Sequence, residues 1–328
     1  MNNTMGNKQH ILATTALCIL SLISLNAQQE PQKYDYIASG YYQLVYEADI
    51  AHWEGNDNLA FAKLQEAEKR CPLINMPTYN EMELYCRLLM KDRQYEKALA
   101  YMDTLANQYG KFSSNVLIDI GQDTALLKNL LRTIPDFYLS KIPKLLRNSE
   151  LYYASLQRDS IINVLIDMCA NDQNVRQKNL RTMSLEDREK MKAIDISNYN
   201  RLFELINKFG FPNLKMYGTA NIALHGRLGD LFSHITDHVN ITDTILQFVR
   251  GGQCTPNLYG KLLDRKDLFK YLIERGRPMY LYAVFINLRD DEIIDIEHLD
   301  ERRIAIGMPT REMAFKRSKL IREQYYGK

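Results

Sequence analysis

The chain has 328 residues, with 42 Lys+Arg against 40 Asp+Glu and a formal net charge of +2. That near-balance leaves no global positive field, so no nucleic-acid partner is expected. Behind an amino-terminal leader roughly 300 residues remain, enough for about two domains.

The amino terminus, MNNTMGNKQH, carries Lys8, and ILATTALCILSLISL, residues 11–25, carries no charge. A basic start, a short apolar run and a small residue at the break mark a secretory signal peptide. The run is too short to span a bilayer comfortably. The expected cut follows Ala27, so residues 1–27 are read as a signal peptide and Cys18 leaves with it. The mature chain is expected to be exported, periplasmic or extracellular, with no transmembrane segment. Four cysteines follow the cut: Cys71, Cys86, Cys169 and Cys254. They form no C-x-x-C pair, which argues against a zinc ribbon or a thioredoxin-like motif. Export permits disulfides, of which Cys71–Cys86 closes a short loop. Four buried thiols are the alternative.

Paired helices are expected from Tyr41. YYQLVYEADIAHWEGND ends at the turn Gly55-Asn56-Asp57, and NLAFAKLQEAEKRCP ends at Pro72. A second pair, YNEMELYCRLLMKDRQ and YEKALAYMDTLANQYG, begins at Tyr79, 38 residues after Tyr41. Superposing the pairs matches Ala48 with Cys86, Ala60 with Ala98, Leu64 with Met102 and Ala67 with Leu105. The pattern resembles the tetratricopeptide repeat family over about residues 38–110. There, small residues at three fixed positions let two helices pack closely; Ala48, Ala60 and Ala67 fit, while Cys86 and Leu105 depart from it. The resemblance implies a front region, 28–112, that binds a protein or peptide partner; the alternative is a helical hairpin array with no peptide-binding role. Tyr41, Tyr42, Tyr46, Trp53 and Tyr79 either line that surface or belong to the core. Bridging helices are expected over 113–148, interrupted by Pro135 and Pro143.

A C-terminal helical domain is expected over 149–328. SELYYASLQRDSIINVLIDMCANDQNVRQK reads as one long helix, and Asp195 as the cap of the next. Gly210-Phe211-Pro212 stops that helix. Helices are also expected near 218–239 and 241–250 and after Gly251-Gly252. MYLYAVFINLRDDEIIDIE, residues 279–297, reads as a small β-hairpin. The basic helix TREMAFKRSKLIREQYYG closes the chain and is read as a solvated face. The order of features resembles a bacterial domain family of uncharacterised function over about residues 150–315. The residues that carry it are Asp172-Gln173 with Arg176, Gly210-Phe211-Pro212, His234, and Tyr259 with Asp264-Arg265. Asp300, Arg302-Arg303 and Gly307-Met308 complete it. Where that family has a glutamine-rich strand, this chain has Met279-Tyr280-Leu281-Tyr282-Ala283, so any substrate role of those glutamines is absent.

Two constellations could carry chemistry. FSHITDH places His234 and His238 four apart on one helix face, one methylene from the H-x-x-E-H zinc signature. A third ligand from His225 requires a bend near Gly226 or Gly229, so no metal is expected. The second is an arginine cluster. Arg176, Arg265, Arg302 and Arg303 would bind an anion if they converge with His234. His234, Asp264 and Arg265 are the catalytic candidates; the alternative is a structural ion-pair network. No phosphate-cradling or nucleophile-elbow motif is present, and no cofactor is expected.

The expected fold is mainly α: tetratricopeptide-like helical hairpins followed by a helical domain with one small β-hairpin. The expected function is an exported protein-interaction or scaffold protein of the bacterial cell envelope. A hydrolase-like enzyme using the His/Asp/Arg site is the alternative.

Overall fold

The computed structural model describes residues 33–112, 114–156, 160–176, 183–284 and 288–327. The expected signal peptide, with Cys18, lies outside the described residues. Those residues contain fifteen α-helices and no β-strand, so the protein is mainly α.

Three helical hairpins lead. They are α1 (Tyr41–Trp53) with α2 (Asp57–Arg70), α3 (Glu81–Lys91) with α4 (Tyr95–Tyr109), and α5 (Ser114–Gln122) with α6 (Thr124–Thr133). Each pair packs together, and α3 also packs on α5. Polar caps start two of the second helices: Asn56 accepts from the Leu59 N–H, and Asp123 from those of Ala125 and Leu126. Each satisfies donors that a helix start leaves unpaired. The eight positions matched between the first two pairs are all buried. Alanine at Ala48, Ala60, Ala67 and Ala98 keeps the facing ridges low, so the helices close on one another. Tyr41, Tyr42 and Tyr46 belong to the core, whereas Trp53 and Tyr79 are half-buried.

A π-helical turn, Phe137–Lys141, runs into α7 (Ile142–Leu156), with Pro143 in its first turn. Pro143 therefore sits where the π-helical turn hands over to the α-helix, and the helix continues through it. The back half holds α8 (Ser160–Val175), α9 (Leu185–Phe209), α10 (Leu214–Tyr217), α11 (Ile222–Thr236), α12 (Thr242–Arg250) and α13 (Pro256–Arg275). After it come α14 (Leu299–Ala305) and α15 (Arg311–Tyr326). Helix α11 packs on α8, α9 and α13. The long helix expected from 149 is described as α7 and α8; residues 157–159 and 177–182 lie outside the described residues. Asp195 caps nothing. Ser184 caps α9, its hydroxyl accepting from the Asp187 N–H, and the helix runs unbroken through Asp195.

The described residues of the expected β-hairpin over 279–297 form no strand. They carry one isolated parallel bridge, in which the Tyr280 N–H donates to Glu292 O and the Ile294 N–H to Tyr280 O, both at 2.9 Å. The reason is that the side chains of Asp264, Arg302 and Arg303 take the backbone groups a paired strand would use. Residues 285–287 lie outside the described residues.

Front and back halves share hydrogen bonds across their joint. The hydroxyl of Tyr42 donates to Val249 O at 2.6 Å and that of Tyr46 to Gly307 O at 2.8 Å. The Gln43 amide donates to Met308 O at 2.7 Å. Gly307 has φ of 84°, and a Cβ there would lie 2.7 Å from the Tyr42 ring. Only glycine meets both conditions cheaply. Asp35–Lys328 forms one compact unit. Cys71, Cys86, Cys169 and Cys254 are free thiols, all buried. Among the described residues no helix is long and apolar enough to cross a membrane.

Candidate functional site

The chemistry-bearing residues of the back half fall into two groups. The first centres on Arg176, at the end of α8. Its guanidinium donates to Asp172 Oδ1 at 2.7 Å and to both oxygens of Asp195 at 2.6 and 2.7 Å. Both aspartates are 1% exposed. His234 Nδ1 lies 2.9 Å from Asp172 Oδ2, and His238 Nε2 lies 3.2 Å from Asp195 Oδ2. Burial pushes the Asp195 carboxyl above its ordinary value, against the pull of Arg176. The two histidines share no helix face, since α11 ends at Thr236 and His238 lies in the turn after it; they face different carboxylates, with the guanidinium bridging those carboxylates. Beside them Arg265 makes a two-pronged pair with Asp237, Nε to Oδ1 at 2.8 Å and Nη2 to Oδ2 at 2.6 Å.

His225 does not join this group. Helix α11 runs through Gly226 and Gly229 without a break, and nine residues at 100° each put His225 on the face opposite His234. Among the described residues, no three His, Cys, Asp or Glu side chains are grouped to hold a metal.

The second group holds the loop after α13. Asp264 Oδ1 accepts from the N–H groups of Leu281 and Tyr282 at 2.8 and 2.7 Å, and Oδ2 from that of Val284 at 3.1 Å. Burial raises its pKa, and these donors oppose the rise. Arg303 donates to the carbonyls of Tyr282, Ala283 and Pro309 at 2.7, 2.9 and 2.7 Å. Arg302 donates to Leu281 O, Ile294 O and Asp295 O. Asp264, Arg302 and Arg303 thus brace backbone and do not converge with Arg176 and His234 on one anion pocket. Asp264 and Arg265 are chain neighbours on α13 that serve different groups.

The front half carries a groove of about 450 Å³. Its walls are the first helices of the three hairpins: Asp49 and Trp53 of α1, Glu83 and Arg87 of α3, Ile118 and Asp119 of α5. The fourth side is α15. Arg317 Nε donates to Asp49 Oδ2 at 2.6 Å, its Nη2 donates to Thr78 O at 2.9 Å, and its guanidinium lies 4.6 Å from the Tyr79 ring centroid. Trp53 Nε1–H donates to Asp49 Oδ1 at 3.3 Å, and the Trp53 and Tyr325 rings lie 6.0 Å apart. Lys316 pairs with Glu54 at 2.6 Å. Burial pushes the Asp49 carboxyl up, while Arg317 pulls it back. The closing helix is solvated on one side, with Lys319 and Arg322 exposed, and seated on the other, where Arg317 reaches into the groove. Its charge is plain in the sequence, but no sequence signal marks the aspartate that receives it.

A cleft also lies between residues 74–77 and the back half. Its main cavity, about 390 Å³, meets Tyr109, Phe211, Lys215 and Tyr217, and shares Met76, His225 and Thr255 with a second cavity of about 190 Å³. His225 Nδ1 is 3.2 Å from the Tyr217 hydroxyl, and burial holds its pKa below the ordinary value. None of the six candidate residues, His234, Asp264, Arg176, Arg265, Arg302 and Arg303, lines the groove or this cleft.

Compared with known protein families, curated proteins and solved structures, the chain matches none.

Proposed function

We propose that this protein is an exported scaffold of the cell envelope whose front groove receives a helical segment of a protein partner. The observation that carries this reading is the seating of Arg317. Helix α15 presents an arginine that pairs with buried Asp49, bonds a carbonyl and stacks on Tyr79. A groove that desolvates a carboxylate and an aromatic face around one guanidinium has the chemistry of an arginine-reading site. The first helix of each hairpin contributes a wall, which is how a tetratricopeptide-like array would present its inner face. Beyond α15 the groove continues towards exposed Ile118, where Arg87 pairs with Asp119. The alternative hydrolase reading needs His234, Asp264 and the arginines in one cleft. Their division between an ion network and a backbone brace favours binding over catalysis.

Arg317→Glu sets a carboxylate against Asp49 and should release α15. A synthetic peptide of residues 311–327, titrated calorimetrically into the full chain carrying Arg317→Glu, should bind one to one with micromolar affinity. It should bind the wild-type chain far more weakly, because α15 is already seated. Absence of binding to the variant would refute an arginine-reading groove.

A further inference from the structure

We propose that the cleft beneath residues 74–77 is a binding site for a small aromatic monocarboxylic acid. Its volume, about 390 Å³ with a further 190 Å³ past His225, lies in the range of small-molecule sites. The lining combines two chemistries. Tyr36, Tyr109, Phe211 and Tyr217 supply aromatic surface, and Met76 adds apolar surface. Apart from tyrosines and Cys254, the ionisable groups that line it are of one kind. Lys215, His225 and Lys261 face the two cavities, and no aspartate or glutamate lines either.

These cations are not equivalent. Lys261 is matched by Asp230 at 2.7 Å. Lys215 meets no carboxylate among the described residues; its ammonium lies 5.5 Å from the Tyr109 ring centroid. Although the residue is exposed, desolvation pulls its pKa below the ordinary lysine value. A cation that is partly desolvated and unmatched is stabilised by an incoming anion. The start of α13 adds positive potential on the same side: Thr255, its cap, lines both cavities, and the helix is 20 residues long. Asn75 supplies the independent sign of a ligand. It is 3% exposed and lies in the wall of the main cavity, and neither its side-chain oxygen nor its nitrogen has a hydrogen-bond partner. A buried amide left so is unfavourable, and a polar ligand group that reached it would satisfy it.

Charge count decides the class. One unmatched ammonium beside a neutral imidazole balances one negative charge. A phosphate monoester would bring close to two, with three oxygens to satisfy. Aromatic walls and a single cation therefore select a carboxylate on an aromatic body.

The test uses the full mature chain and three probes, benzoate, 4-hydroxyphenylacetate and indole-3-acetate, each against its uncharged amide. Ligand-observed NMR and thermal melts at millimolar concentration should show saturable binding of at least one acid and a raised Tm, with little effect of the matching amide. Lys215→Gln, an exposed position that should not disturb folding, should weaken that acid at least tenfold. Lys319→Gln, on the exposed side of α15 near its middle, should not. Binding of none of the three acids, equal binding of acid and amide, or affinity unchanged by Lys215→Gln would each overturn the proposal.

Discussion

Glu81 stands at the first position of α3, where the helix terminus favours a negative charge, yet it is 1% exposed. Its Oε1 accepts from the Tyr41 hydroxyl at 3.2 Å and its Oε2 from the Met76 N–H at 2.8 Å. Desolvation wins, and burial pushes the carboxyl up to about 8. The folded state thus holds a proton that the unfolded chain releases near pH 4.5. Its stabilisation is fully present below that value and is lost as pH rises through about 8. A shift of that size corresponds to about 5 kcal/mol. Glu81→Gln keeps the shape and cannot ionise. Urea denaturation should therefore find the variant close to wild type near pH 5 and more stable by a few kcal/mol above pH 8. A constant difference across that range would show that Glu81 ionises freely. Nothing in the sequence singles this residue out, because a glutamate at a helix start reads as ordinary dipole matching. Only the packing of α1 and residues 74–76 over it reveals the burial.

The elements of the back half are tied by charge as well as by apolar contact. Arg176 joins α8 to α9 through Asp195, and Asp172 carries the tie to α11 through His234. Removing Arg176 would strand two buried carboxylates. Arg176→Ala should cost roughly 3–5 kcal/mol in chemical denaturation. Arg265→Ala should cost less, about 1–2 kcal/mol, because Asp237 is reached by water and can be resolvated. Equal losses at the two sites would contradict this ranking. Part of this network is legible in the sequence. Asp172 and Arg176 are four apart on one helix, and His234 and Arg265 stand out beside them. Asp195 looks like a cap but is not one, since a helix continuing 25 residues from Ser184 leaves no local mark at its middle. Asp264 has the look of a chemistry-bearing residue, but its partners are three backbone N–H groups of a later loop. No residue type announces such donors.

At the scale of the whole molecule the chain closes on itself. Arg317 meets Asp49 across 268 positions, and Tyr46 meets Gly307 across 261. The helical pairs and the basic final helix are legible because periodicity is local. The seating of that final helix is not, because charge composition carries no address. The groove holding α15 is proposed as a receptor for an arginine-bearing helix, with α15 as its resident occupant. A release of α15 would expose Asp49, Trp53 and Tyr79 together. Trp53 is the only tryptophan of the chain and lies in the groove against Tyr325, so its emission reports occupancy directly. The decisive measurement is Trp53 fluorescence of wild type and Arg317→Glu, each with added peptide 311–327. An arginine-reading groove requires a red shift in the variant, reversed by the peptide but not by the same peptide carrying Arg317→Glu, and no change in wild type. Identical emission from both proteins, or a red shift that the native peptide leaves unreversed, would contradict it.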